Sequence, residues 1–194
     1  MIELPLFPLQ TVLLPGGRLA LRVFEARYLD MVARCLRADN RFGVVAIRHG
    51  GEVGAATTYD VGTSAEIVDW HQESGGLLGI VAEGRTTFRL LGSRREADGL
   101  YVGHVAWLEP LPALALPSTF APLAELLRRL IEPLPHYDNT PAAFDDAGWV
   151  GGRLIELLPL SLAFKQSLLE APEVIGRLER LTAALREAPP VERA

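Results

Sequence analysis

Asp69, His71 and Glu73 alternate along one short stretch of the 194-residue chain. Residues two apart on a strand share a face, so these three can present carboxylate oxygens and an imidazole nitrogen to one divalent metal. The same letters also suit the solvated polar end of a hairpin leading into Ser74-Gly75-Gly76, while His49, His104 and His136 have no comparable neighbours. Ser161 and Lys165 stand four apart and would share a helix face, a spacing at which lysine can activate a hydroxyl nucleophile. The competing reading has Ser161 capping a helix after Pro159 with Lys165 directed to water, and nothing nearby supplies an oxyanion hole. Gly62-Thr63-Ser64-Ala65-Glu66 carries Glu66 where a nucleophile elbow needs its second glycine. Lys165 follows Phe164, so it completes no phosphate loop. Gly148-Trp149-Val150-Gly151-Gly152 does not follow a strand as a dinucleotide loop must, and reads instead as close helix packing or a break. The expectation is a protein that is not an enzyme and holds no cofactor.

Binding chemistry is better represented. Arg85, Arg89, Arg94 and Arg95, with Trp70, Tyr101 and Trp107 on strands that can neighbour them, would form a mixed guanidinium and aromatic surface. Guanidinium groups fork onto carboxylates and aromatic faces accept exposed side chains, which suits peptide or ligand contact by Trp70, Arg85, Arg89, Tyr101 and Trp107. The alternative is that the arginine stems cover sheet walls and pair with Glu83 and Glu96.

Short β elements must position these residues. Arg18–Val23 alternates apolar and polar residues at strand period. Phe42–Ile47, Val61–Trp70, Leu77–Val81, Thr86–Leu91 and Leu100–Leu108 supply further strands, with turns at Gly50-Gly51, Gly75-Gly76 and Asp98-Gly99. A helix over Glu25–Ala38 carries Tyr28, Leu29, Met31, Val32, Cys35 and Leu36 towards the sheet. The opening Leu4-Pro5-Leu6-Phe7-Pro8-Leu9 is an apolar run broken by prolines, each of which removes a backbone donor, so it suits a rim or edge strand. Glu109–Ser118 contains Pro110, Pro112 and Pro117 and reads as a stiff linker. Beyond it, Leu123, Leu126, Leu127, Leu130 and Ile131 form one helical stripe. Thr140-Pro141 marks the start of a helix running to Leu158, Ser161–Glu170 a third, and Pro172-Glu173 the opening of a fourth. The residues after Pro189 read as a frayed tail. The fold expected is α+β: a small β-barrel over 1–110 with one embedded helix, a proline-rich linker over 111–118 and a helical bundle over 119–194.

The net charge of −5 argues against nucleic acid as a partner, since no basic region exists to neutralise phosphates. Of the 19 basic residues only Lys165 is a lysine. The single cysteine, Cys35, excludes an internal disulfide and reads as a buried, inert thiol on the helix face. No apolar run approaches the roughly 20 residues that span a bilayer and no secretory signal opens the chain, so no membrane association and a cytoplasmic setting are expected.

The opening, with Val12-Leu13-Leu14-Pro15-Gly16-Gly17 and Phe24-Glu25-Ala26-Arg27-Tyr28-Leu29, resembles the N-terminal substrate-binding domain of the Lon protease family, a PUA-like domain. Arg41-Phe42-Gly43-Val44-Val45, Val61–Ile67, Leu78–Leu90 with Gly84-Arg85, Leu158–Ser161 and Lys165–Glu170 extend the similarity over most of the chain. The resemblance implies a free-standing binding module without the ATPase and peptidase modules of a full Lon protease. Its partner would be unfolded or flexible polypeptide, in an adaptor or holdase-like role beside a protease or chaperone. Pro5, Phe7, Pro8, Pro15, Gly16, Phe24, Glu25, Arg27, Tyr28, Gly43 and Gly84 are then family-motif positions of structural character. The PUA-like relationship also raises RNA binding as an alternative, which the acidic balance opposes, and the Asp69, His71, Glu73 set raises a metal-dependent enzyme as another.

Overall fold

The computed structural model describes residues 2–39, 41–52, 56–73, 77–138 and 141–187. The turn at Gly75-Gly76, the cap at Thr140 and the tail after Pro189 lie outside them. Over the described residues the fold is α+β, a mixed sheet with five α-helices. The strands are β1 (Ile2–Leu9), β2 (Arg18–Val23), β3 (Arg41–Gly50), β4 (Ala56–Gln72), β5 (Leu78–Arg95) and β6 (Tyr101–Trp107), in the order β2-β5-β4-β3-β1-β6, with β5 pairing additionally with β6. Among the described residues only β1 and β3 run parallel.

β1 pairs with β6 over Ile2–Leu6 and with β3 over Leu6–Leu9, so almost every residue has a partner on one side only. Pro5 and Pro8, three apart, aim their donorless nitrogens to opposite sides. Each therefore can face the side where β1 has no partner at that point, which is how an apolar strand tolerates two prolines inside a sheet.

The two strands expected at Leu77–Val81 and Thr86–Leu91 are one strand of 18 residues. Gly84, in the gap expected between them, lies at its middle. It meets another stretch of backbone: Gly84 N–H donates to Gly17 O at 2.9 Å and Gly16 N–H donates to Gly84 O at 2.8 Å. A Cβ on Gly84 would collide with the Leu14 carbonyl. The glycine thus marks a close backbone approach.

α1 (Ala26–Arg37) turns Tyr28, Met31, Val32 and Cys35 into the sheet core with Phe7, Phe42, Ile67 and Ile80. Leu29 and Leu36 are exposed, because the buried stripe is narrower than their placement required. Burial pushes the Cys35 thiol up to about 11, and its Sγ donates to Arg41 O at 3.1 Å. Such a thiol is unreactive at neutral pH.

α2 (Ala121–Ile131), α3 (Ala147–Leu157), α4 (Leu162–Leu169) and α5 (Val174–Glu187) follow, with α3 touching the other three. Gly151 lets Leu178 of α5 approach α3, as 3.1 Å separates that leucine from where a Cβ would stand. α3 begins six residues later than expected. Asp146 takes the cap position and its Oδ1 accepts from Trp149 N–H at 2.7 Å, while 141–143 are not helical. The leucines and valines of these helices share one cluster with Val12, Leu14, Ala46 and Val61.

A buried polar joint fastens α3 to the segment before β2. Arg153 is 0% exposed; its Nε pairs with Glu156 Oε2 at 2.7 Å, and its Nη atoms donate to Pro15 O at 3.1 and 3.2 Å and to Leu14 O at 3.3 Å. Leu14 N–H donates back to Glu156 Oε1 at 2.6 Å. Burial pushes the Glu156 carboxyl above the usual carboxylate range, and Arg153 offsets part of that rise. Lys165 is half-buried and donates to Glu156 O at 2.8 Å, so it does not point to water. Ser161 caps α4 by accepting from Phe164 N–H at 3.3 Å.

Candidate functional site

A groove of about 820 Å³ runs along β2 and across the start of α1. Its apolar floor and wall are Phe7, Leu9, Leu21, Phe24, Tyr28 and Ile80. The local sequence explains each placement. β2 alternates, so Leu19 and Leu21 are half-buried and Val23 buried, while Ala20 and Arg22 are exposed. Phe24 falls in the link between β2 and α1, belongs to neither apolar face, and is 63% exposed. Phe7 stacks on Tyr28 with centroids 4.0 Å apart and planes 8° from parallel, and burial pushes the Tyr28 hydroxyl up to about 12. Arg27 sits over the other side of this stack, 4.6 Å from the Tyr28 centroid. It donates to Gly99 O and Glu52 O, both at 3.2 Å, and pairs with Glu25 at 2.8 Å. The motif Phe24-Glu25-Ala26-Arg27-Tyr28 therefore builds one wall of the groove.

The rim is acidic. Glu25, Glu52, Asp69 and Glu73 line it against Arg22, His71 and His136. Glu25 is held by Arg27, and Glu73 by Arg22 at 2.9 Å. Glu52 and Asp69 accept only backbone N–H groups, from Gln10 at 2.9 Å and Trp70 at 2.8 Å, with no cationic partner among the described residues. Burial first and Arg18 second push the His136 imidazole below its ordinary value, favouring its neutral form.

Asp69, His71 and Glu73 do line one groove, as strand alternation requires. His71 Nε2 lies 3.6 Å from Glu73 Oε1, and the ring lies over Gly79, where a Cβ would stand 2.5 Å from Nε2. Glu73 is committed to Arg22, and among the described residues no group of three or more His, Cys, Asp or Glu is placed to hold a metal ion.

The aromatic and arginine set is dispersed. Arg85 and Trp107 line one depression of about 560 Å³ with Arg41, Ser64 and Thr86. Arg85 is bound to Glu66 at 2.9 Å and to Glu83, and Trp107, 38% exposed, packs edge-on to Phe88 at 6.3 Å. Tyr101 lines a different depression, beneath Arg95 at 5.9 Å. Trp70, 57% exposed, stands opposite Ile80 near the far end of β4, and Arg89 stands opposite Val61 and Ala106; neither reaches those depressions. Of the motif positions, Pro5 and Pro8 lie in β1, and Pro15 and Gly16 at the Arg153 joint, where Gly16 takes a φ of 75°. Gly43 lies against Leu6 and Phe88, each 2.9 Å from where its Cβ would stand. The sequence leads to a shallow groove between the barrel and the helical bundle, not to this one along β2 and α1. Its one signal is Phe24, an aromatic falling outside both the strand and the helix period.

The chain thus presents a mixed sheet with an apolar, acidic-rimmed groove and helices fastened beside it. The chain belongs to the family of the ATP-dependent protease La (LON) substrate-binding domain, which matches residues 3–187. It is similar to a Lon N-terminal domain protein from Xanthomonas campestris, whose crystal structure superposes with a TM-score of 0.76 at 40% identity over 94% of this chain and 98% of that one. The N-terminal domain of a Mycobacterium avium complex Lon protease shares the fold, with a TM-score of 0.66 at 13% identity over 97% of this chain and all of that one. Among curated relatives, protein cereblon of Xenopus tropicalis is 32% identical over 135 residues, 68% of this chain, and Lon protease 2 of Myxococcus xanthus 27% identical over 185 residues, 91% of this chain. The chain spans only 29% and 22% of those two proteins. No helix among the described residues is long and apolar enough to cross a membrane.

Proposed function

We propose that this chain is a noncatalytic recognition module that takes flexible or unfolded polypeptide into the groove along β2, in the cytoplasm and beside a protease or chaperone. The observation that carries the reading is the exposed Phe24 over an apolar floor, within a family described as substrate-binding. Apolar client side chains would settle on Phe24, Leu21 and Leu9, displacing water from a surface that folding left exposed. In the same reading, the extra β5–β6 pairing closes β1, β3, β4, β5 and β6 into a small barrel over 1–110. The helices of 119–194 form a second subdomain packed on it, with 111–118 as the connection.

The test is capture of a reduced, alkylated model protein by the full chain, against its native form. Binding in the micromolar range to the unfolded form only is expected, weakened about tenfold in Phe24→Ala, as for a central aromatic anchor worth over 1 kcal/mol. Trp70→Ala and Trp107→Ala, at residues that do not line the groove, should leave capture intact. Equal capture of native and unfolded forms, or none, overturns the reading. Steeply salt-dependent binding of structured RNA would favour the nucleic-acid alternative.

A further inference from the structure

β2 ends the sheet in its strand order, and among the described residues it pairs only with β5. Successive residues of a strand aim their backbone groups to alternate sides. Gly17 O accepts from Gly84 N–H on the β5 side, and Arg18 N–H donates to Tyr137 Oη at 3.4 Å on the other. The alternation then assigns Leu19, Leu21 and Val23 to the β5 ladder and turns the N–H and C=O of Ala20 and Arg22 outward. Among the described residues no hydrogen bond reaches those four outward groups. The 3-10 turn Pro135–Tyr137 covers only the Arg18 end of this edge, and the groove lies along the remainder, its lining running without a gap from Ala20 to Glu25.

Sheet edges are commonly blunted by prolines, bulges or inward charges. β2 has no proline and no break in its register with β5, and the charge on Arg22 is taken up by Glu73. Opposite the apolar floor stand Glu52 and Asp69, carboxylates without a cationic partner among the described residues.

We infer that the groove takes its client as an added strand: an extended segment pairs through its main chain with Ala20 and Arg22, sets apolar side chains on Leu21 and Phe24, and brings Lys or Arg to Glu52 and Asp69. This rests on the proposed reading and deepens it, from flexible polypeptide in general to extended segments in which apolar and basic residues alternate. Main-chain pairing supplies affinity without regard to sequence, and the acidic rim supplies the preference.

Fluorescence anisotropy with the full chain and three labelled octapeptides tests the inference: alternating valine and lysine, alternating valine and glutamate, and the lysine peptide N-methylated on alternate amides along the pairing edge. The lysine peptide should bind at least tenfold more tightly than either of the others. Ala20→Pro removes one outward N–H and no bond to β5, so it should weaken the lysine peptide about tenfold with thermal melting retained. Glu52→Gln with Asp69→Asn should erase the lysine preference, a second route should Ala20→Pro melt early. Equal affinity for the three peptides, with capture of unfolded protein intact, overturns strand addition and spares the broader reading. Loss of all capture overturns both. A concentration-dependent dimer abolished by Ala20→Pro assigns the edge to a second copy of this chain and overturns the inference.

Discussion

Leu13–Gly17 and β2 are adjacent in the chain and opposite in treatment. In the first, Leu13 O accepts from Thr63 Oγ1 at 2.6 Å, Leu14 N–H donates to Glu156, the Leu14 and Pro15 carbonyls accept from Arg153, and Gly16 and Gly17 bond to Gly84. In the second, every other residue turns its backbone groups away from β5, the strand that pairs with it. Buried backbone must be satisfied, and exposed backbone can be left for water or for a partner. The difference teaches that one stretch anchors so that the next can remain open: a rigid entry fixes where the free edge lies.

The comparison can be broken most severely at Arg153. Arg153→Ala leaves Glu156 buried without its counter-charge and takes a donor from the Leu14 and Pro15 carbonyls, and should cost about 3–5 kcal/mol in urea unfolding. A cost below about 1 kcal/mol would mean the joint does not anchor. Gly84→Ala drives a methyl into the Leu14 carbonyl and should cost about 1–3 kcal/mol by the same measurement, with the groove disturbed as well. Phe24→Ala sharpens the contrast from the open side. It should change stability by no more than about 0.5 kcal/mol, as an exposed side chain does, while weakening capture of unfolded protein. The smallest effect belongs to His136. Its folded value lies below the ordinary 6.5, so the neutral ring is the one folding favours. Its contribution is present above pH of about 6.5 and is lost as pH falls through the lower folded value. Melting temperature measured from pH 8 to pH 5 should fall across that window, and His136→Gln should flatten the fall.

Strand and helix periods were legible wherever one face is buried. β2 and α1 lie within a residue of their expected bounds, and α2, α4 and α5 follow their leucine stripes. What misled were residues whose role depends on a distant partner. Gly84 falls in the gap between two expected strands until Leu14–Gly17 is laid across it, and Lys165 resembles a solvated lysine until α4 brings it to the last turn of α3. The proline at 141 drew the start of α3 forward because the competing cap, Asp146, also takes part in a bridge to Ala115 that no local signal reveals. For the site, alternation sufficed to place Asp69, His71 and Glu73 along one groove. It could not gather Trp70, Arg85, Arg89, Tyr101 and Trp107, because two register shifts in the β4–β5 pairing and one in β5–β6 change which neighbours meet. An open edge is invisible in sequence altogether, since it is defined by a strand that is not there.

β1 stands between β3 and β6, so a strand made early pairs with one that follows it by about a hundred residues. Leu4 and Leu6 therefore stay without this cover, and the β1–β6 pairing unmade, until Tyr101–Trp107 has emerged. A nascent chain arrested before that point should be readily cut by added protease, and one arrested well beyond it should resist.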